Sequence, residues 1–401
     1  MMRVPVERRH LGRRQLLAAA GAACVVSALD GCRVIAPNAR QAAAQTPPLQ
    51  LAPLRASVDR ITAITVCTRP FRAQGPRLDV ETIGSKTVVH NYGHGGSGWS
   101  LSWGSSSIAA QNALGTGTRE IAVIGCGALG LTAALLLQRA GVQVTIYAKE
   151  LPPDVRSSLA SGVWTPDSRI CFEEYATPAF RQSWERMARF SFKTYQTLLG
   201  LPGEPIEFID SYAVFDELDA PKRGNSDSAA DPRPRFAELQ RDLIPDLSPE
   251  RVSFAPGAHP FGARYVRRNT LMMFNISAYA RMLLTDFRTN GGRIEIAEFR
   301  TPADFAGLRE KTLINATGYG ARALFADESI TPVRGQLARM MPEPRVDYGL
   351  YYRNVSFVPR RDGWVFQQVG DDDYYGYGDA GTTPDRAEAE SAVRTIAALY
   401  R

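Results

Sequence analysis

Metal and disulfide chemistry have little to work with in this 401-residue chain. Four histidines argue against a histidine-built metal site, and the five cysteines show neither metal-ligand spacing nor the pairing density of a disulfide framework. No Ser/His/Asp arrangement and no paired-carboxylate site stands out, so the chain does not read as a hydrolase. Its apolar stretches are short of a membrane span. The net charge of +6 would suggest a basic surface, yet five arginines against two carboxylates among residues 1–31 account for half of it. What remains is too little to imply nucleic-acid binding. A composition of 44% hydrophobic, 9% aromatic and 22% charged residues excludes disordered and fibrous classes and leaves an ordinary globular protein.

The N-terminus reads as an address. Residues 8–29, RRHLGRRQLLAAAGAACVVSAL, set a basic stretch before an apolar run of signal-peptide length. Arg13-Arg14 followed by Gln15, Leu16 and Leu17 looks like a twin-arginine export signal, a route that carries folded proteins. Leu29-Asp30-Gly31-Cys32 resembles a lipoprotein cleavage box with Cys32 as the lipidated residue, although Asp30 fits it poorly. Ala42-Ala43-Ala44 offers an ordinary cleavage site instead. The expectation is an exported, periplasmic protein, with a membrane tether through Cys32 left open. Residues 1–32 are then the signal and 33–58 a flexible tether.

The chemistry begins at IAVIGCGALGLTAALLLQRAGVQVTIYAKE, residues 121–150. The apolar run Ile121 to Ile124 predicts a buried parallel strand. Gly125, Gly127 and Gly130 follow in G-x-G-x-x-G spacing, then a helix through Arg139, a C-terminal Gly141, and a second strand from Val142 to Tyr147. Gly125 permits the tight turn, Gly127 lets backbone approach a pyrophosphate, and Gly130 lets helix and strand pack closely. The pyrophosphate would rest on the helix N-terminus, where free N–H groups attract anions. Glu150, preceded by Lys149, is the expected ribose carboxylate and favours FAD or NAD over NADP.

The segment after the second strand, LPPDVRSSLASGVWTP (residues 151–166), resembles the stretch that runs under the flavin in D-amino acid oxidases. The likeness places Ser157 and Ser158 at the pyrophosphate, with Ser161 and Gly162 near the flavin's reactive nitrogen. VVHNYGHGGSGWSLSWG (residues 88–104) closely matches that family's H-N-Y-G-H-G-G-x-G signature. The match implies that this loop, including Gly95, meets the flavin's pyrimidine edge and starts a helix near Ser100. Gly98, Trp99 and Ser100 would then offer donors to the flavin carbonyl oxygen, and Gly96 its carbonyl to the substrate amine. His90 and His94 are expected to be a satisfied structural pair. TRPFRAQGPRLDVE (residues 68–81) resembles the family's G-x-R-P-x-R element and makes Arg69 the carboxylate clamp, a role suited to a planar, permanently charged fork. INATGYGARAL (314–324), PVRGQL (332–337) and YYRNVSFVP (351–359) continue the resemblance, the last read as a strand carrying Tyr352 as an active-site tyrosine.

The order is rearranged. The H-N-Y-G-H-G-G segment precedes the dinucleotide motif, whereas in the family it comes last, so residues 59–114 look like a C-terminal section moved to the front by circular permutation. The implied fold is α/β: a Rossmann-type FAD-binding domain interleaved with a mixed-sheet substrate domain. Residues 119–200 and 301–335 fall to the FAD domain, and 201–300 and 336–401 to the substrate domain. The implied reaction is oxidation of an amino acid, most simply a D-amino acid, with FAD as cofactor and oxygen as acceptor. A glycine-, sarcosine- or D-aspartate-type enzyme, a quinone-linked dehydrogenase and a catalytically idle flavoprotein remain as alternatives. Two departures bear on them: Ser356 and Ser97 stand where tyrosines are expected. Tyr374, Tyr375 or Tyr377 either supplies the missing hydroxyl or forms a solvated strand edge.

Overall fold

The computed structural model describes residues 48–217, 231–263 and 265–400. The export and lipidation readings at Arg13-Arg14 and Cys32 lie outside them.

Two sheets organise these residues. The six-stranded sheet contains β2 (Val80–Ile83), β3 (Lys86–His90), β4 (Glu120–Ile124), β5 (Gln143–Ala148), β9 (Arg293–Ile296) and β10 (Thr312–Asn315), in the order β2-β3-β10-β4-β5-β9. Its five strands from β3 to β9 run parallel, and only the edge strand β2 is antiparallel. The strand predicted at 121–124 is β4, buried from Ile121 onward, as a parallel strand covered on both faces must be. The next strand is β5, and between them lies α2 (Ala128–Arg139), after the 17-residue helix α1 (Gly98–Leu114). α1 is buried on nearly every side because it runs against α2, the sheet and α3 (Pro178–Gln196). Two of its serines are satisfied within that packing: Ser102 meets Tyr195 at 2.9 Å and Ser106 meets Thr132 at 2.9 Å. The Trp103 indole donates to the Tyr279 hydroxyl at 2.7 Å and so ties α1 to α4 (Ile276–Thr289).

The eight-stranded sheet contains β1 (Ile61–Arg72), β6 (Ile206–Phe215), β7 (Val252–Phe254), β8 (Tyr265–Phe274), β11 (Ile330–Met340), β12 (Gly349–Tyr352), β13 (Val355–Val358) and β14 (Trp364–Gln368). Their order is β1-β11-β14-β13-β12-β6-β8-β7, antiparallel except where β12 meets β6. Residues 61–72 thus pair along nearly the whole length of β11, far away in sequence. Helix α5 (Arg386–Ala397) covers one face of this sheet. Its Val393 and Ile396 share a core with Tyr352, Phe357 and Trp364.

YYRNVSFVP is a hairpin rather than the single strand expected. Arg353 and Asn354 both take positive φ (43° and 61°), and β12 folds back on β13 with Tyr351 opposite Ser356. Two successive residues of this kind are what a type I′ turn requires, and its twist matches that of the flanking strands.

Candidate functional site

In a parallel sheet, strands deliver their loops to one end, and ligands bind beyond the carboxyl ends where strand order reverses. A cleft of about 500 Å3 lies there. Loops following β3 (His94 to Trp99), β4 (Gly125 to Leu129), β5 (Lys149, Glu150), β9 (Ala297 to Arg300) and β10 (Ala316 to Gly320) all line it. Arg156, Ser157, Ala160 and Ser161 line it from the segment after β5, and Cys67 to Pro70 from β1.

The G-x-G-x-x-G turn is built as its spacing demands. Gly125 has φ 107°, and a side chain there would stand 2.6 Å from the Ala316 carbonyl oxygen. Gly130 does not line the cleft. A Cβ at 130 would meet the Gly125 carbonyl at 2.0 Å, so its smallness serves helix–strand packing. The N-terminus of α2 faces the cleft without a side-chain cap from Gly127, and the Ser157 hydroxyl accepts the Ala128 N–H at 3.1 Å. That geometry suits a pyrophosphate: backbone donors, a helix dipole and a hydroxyl in one place. Ser158 does not line the cleft; its buried hydroxyl has no partner among the described residues.

The second helix N-terminus at the cleft is that of α1. Ser97 gives it no side-chain cap, which leaves first-turn N–H groups at Gly98 and Trp99 beside the cleft. The Trp99 indole donates to the Ser157 carbonyl at 2.7 Å. The Ser100 hydroxyl accepts the Thr165 N–H at 2.8 Å, outside the lining. These bonds stitch the 157–165 segment to the H-N-Y-G-H-G-G loop. Gly162 also lies off the cleft, with φ 90° and no room for a side chain before the Phe274 carbonyl. Gly95 donates to the Pro70 carbonyl and Gly96 to the Ser168 carbonyl, both at 2.9 Å, so the glycine loop is clamped between β1 and residues 167–169.

Arg69 lines the cleft from β1, its Nη1 donating to the Arg334 carbonyl at 3.1 Å. Among the described residues no carboxylate pairs with it. The register carries the Arg69 face across the sheet: Val333 and Leu337 on β11, Val365 on β14, Ser356 on β13, Tyr351 on β12. Tyr352 therefore lies on the opposite face. It packs with the core under α5, its hydroxyl 3.1 Å from Asp216, and it does not reach the cleft. The two-residue turn at 353–354 and the one-residue alternation together put Tyr351, not Tyr352, on the cleft-side face.

The other tyrosines are accounted for as well. Tyr374 and Tyr377 join Phe71, Phe172, Phe236 and Val333 in an aromatic cluster, and the Tyr374 hydroxyl donates to the Pro234 carbonyl at 2.5 Å. Tyr375 packs against Gly370. None lines the cleft, and the segment is a turn held to β11 rather than a solvated edge.

The histidines divide. His90 sits between Glu81 (3.0 Å) and Asn315 (3.1 Å) and is satisfied as expected. His94 is 1% exposed, and neither ring nitrogen finds a partner among the described residues. Burial alone drives its pKa down to about 3, which keeps the ring neutral. Nearby lining groups are also held uncharged: burial pushes the Cys126 thiol and the Tyr147 phenol each up to about 12.

Several lining residues escape a motif reading. The Arg156 guanidinium lies 4.9 Å over the Tyr319 ring, joining two walls of the cleft. Residues 297–300 enter because β9 extends the parallel sheet, and Cys67 because it alternates with Arg69 on β1. The carboxyl-end rule would have pointed to 297–300 had β9 been recognised as a strand. Lys149 and Glu150 line the cleft and pair with each other at 3.6 Å.

A sequence model of the family described as FAD dependent oxidoreductase matches residues 120–401. The chain is 26% identical over 283 residues to a D-amino-acid oxidase of Rubrobacter xylanophilus, covering 69% of this chain and 76% of that protein. A D-amino-acid oxidase of Streptomyces coelicolor is 26% identical over 290 residues, covering 70% and 77%. Among solved structures it is similar to glycine oxidase from Bacillus cereus (TM-score 0.45, 12% identity, 70% of this chain and 78% of that one). It is also similar to L-proline dehydrogenase from P. horikoshii (TM-score 0.47, 14% identity, 71% and 77%).

Proposed function

Because the chain belongs to the DAO family of FAD-dependent oxidoreductases, we propose that it oxidises the Cα–N bond of D-amino acids, giving 2-oxo acids, ammonia and hydrogen peroxide. The observation that carries this reading is one cleft lined by both the G-x-G-x-x-G turn and an arginine without a carboxylate partner among the described residues. FAD held there would supply the hydride acceptor for this oxidation, with oxygen as the final electron acceptor and water releasing the 2-oxo acid and ammonia from the imine.

The residues present fit that cofactor. Gly125 and Gly127 with the α2 N-terminus and Ser157 form the anion cradle, and Glu150 suits a ribose hydroxyl. Gly98 and Trp99 at the α1 N-terminus favour negative charge on a flavin carbonyl oxygen. The chain's own part in the reaction is orientation: Arg69 grips the substrate carboxylate bidentately, and the Gly96 carbonyl accepts from the amine. No side-chain base is required at Cα. Leu337, Val358 and Val365 form an apolar patch on the Arg69 face of the sheet.

The circular permutation belongs to the same reading. The family match begins at 120, yet β1, β3 and α1 contribute to the sheets and the cleft described above. The Tyr348 hydroxyl donates to the Ala52 carbonyl at 2.6 Å and meets the Tyr400 hydroxyl at 2.6 Å, so the final helix and the approach to β1 are neighbours, as that rearrangement requires. Export through Arg13-Arg14 is part of the proposal too, and Arg13→Lys with Arg14→Lys should leave the protein in the cytoplasm. The activity test is aerobic turnover with a panel of D- and L-amino acids, glycine and sarcosine, scoring peroxide and 2-oxo acid. Stoichiometric peroxide from D-isomers supports the reading. Product without peroxide would replace it with a dehydrogenase, and turnover of glycine or sarcosine alone with that narrower oxidase.

A further inference from the structure

We propose that Gly335 is the positioning residue of the carboxylate clamp: its missing side chain is the space in which the Arg69 guanidinium lies. The inference rests on the reading of Arg69 as the clamp. On the β1–β11 ladder Arg69 stands opposite Val333 and Cys67 opposite Gly335, so Arg69 reaches diagonally along its own face. A Cβ at 335 would stand 2.6 Å from Nη2, 2.7 Å from Nη1 and 2.8 Å from Cζ of Arg69. All three contacts are to the head group, and none is to backbone.

No positive φ asks for glycine at this position. Residue 335 sits inside a paired, extended strand, a setting in which glycine is a cost. The residue type is explained by what crosses it. The Arg334 carbonyl supplies the second restraint, accepting from Arg69 Nη1, and is itself fixed. The Arg334 N–H donates to the Gly376 carbonyl at 2.9 Å, and a side chain on Gly376 would stand 2.2 Å from the Arg334 carbonyl oxygen. The Arg334 guanidinium reaches Glu388 and the Gln336 amide oxygen, each at 3.1 Å. An arginine held flat on this platform has already given up the rotamer freedom that carboxylate binding would otherwise cost. One Nη1 donor is spent on Arg334, and the rest of the fork is left for the ligand.

The test is the Gly335→Ala variant of the full-length holoprotein. The obstructed group is the far end of a flexible side chain, so the strand should stay and Arg69 should swing away. Titration with pyruvate, a 2-oxo acid with no amine to oxidise, is followed by flavin absorbance. Its dissociation constant should rise about ten-fold while FAD affinity and Tm stay as in the unmodified protein. For an oxidised amino acid, KM should rise by a similar factor with kcat within about three-fold. In an Arg69→Ala background the same Gly335→Ala change should have no further effect on pyruvate binding. Should Gly335→Ala fail to hold FAD, the Arg69→Ala, Gly335→Ala double variant must recover it, because the clashing head group is gone; failure to recover overturns the proposal. If Arg69→Ala weakens pyruvate binding and Gly335→Ala leaves it unchanged, the positioning role is wrong and the clamp stands. If Arg69→Ala itself has no effect, the clamp reading falls and this inference with it.

Discussion

The two sheets answer to different rules. In the parallel sheet, the cleft is lined from the carboxyl ends, and which face of a strand a residue occupies hardly matters. Gly125, Glu150, Gly98 and Ala316 reach the cleft because each follows a strand end. In the eight-stranded sheet, one face looks toward the cleft, and a one-residue error moves a side chain to the other side. Arg69 and Tyr351 share the cleft-side face, while Tyr352 belongs to the core under α5. A motif that names the strand therefore locates a site residue in the first sheet and leaves a two-fold ambiguity in the second.

The first way to break this comparison is at the turn after β4. Gly125→Ala must force φ 107° on a residue with a side chain and press it to 2.6 Å from Ala316. The strain alone is worth about 1–3 kcal/mol, and FAD should be lost on gel filtration. A variant that purifies yellow with unchanged Tm would remove the special status of the strand-end glycines. Next, on the second sheet, Arg69→Ala should lower kcat/KM by about 100-fold, the equivalent of ~3 kcal/mol of charged hydrogen bonding, with FAD retained. Steady-state kinetics beside a flavin absorbance spectrum separates the two losses.

The histidine pair sharpens the contrast inside the first sheet. His94 is held neutral to about pH 3, whereas the unfolded chain takes up its proton near pH 6.5. A folded pKa below the unfolded value means that stability is fully present above pH 6.5 and is lost as pH falls toward 3. The His94 share of that loss is a slope of at most ~1.4 kcal/mol per pH unit. His94→Phe should flatten it in urea melts taken across that window, and an unchanged slope would place the titration elsewhere. The smallest effects are expected from the tyrosines. Tyr352→Phe should cost about 1 kcal/mol of stability through its Asp216 bond and leave kinetics alone. Tyr351→Phe should shift KM by a few-fold at most. Equal kinetic effects from both would mean that the hairpin register does not sort the two tyrosines.

Much of the first sheet was legible from sequence because each of its signals is local. Apolar runs gave β4 and β5, glycine spacing gave the turn, and the long loop motif gave the start of α1. The place of Arg69 at the cleft was legible for the same reason, since its neighbours in sequence mark it. Tyr352 was misplaced because the turn at Arg353-Asn354 needs positive φ from an arginine, which no residue preference announces. His94 was read as satisfied because its solitude depends on three-dimensional packing. The role of Gly335 was invisible for a related reason: the atom it spares belongs to a strand 266 residues away in sequence.

The most direct test of the account is anaerobic mixing of the purified holoprotein with D- and L-amino acids while flavin absorbance is followed. The account predicts bleaching by D-isomers in the unmodified protein, slowed by roughly 100-fold at low substrate in Arg69→Ala. Bound FAD that no amino acid bleaches would contradict it and leave the cleft to a different amine or to no reaction.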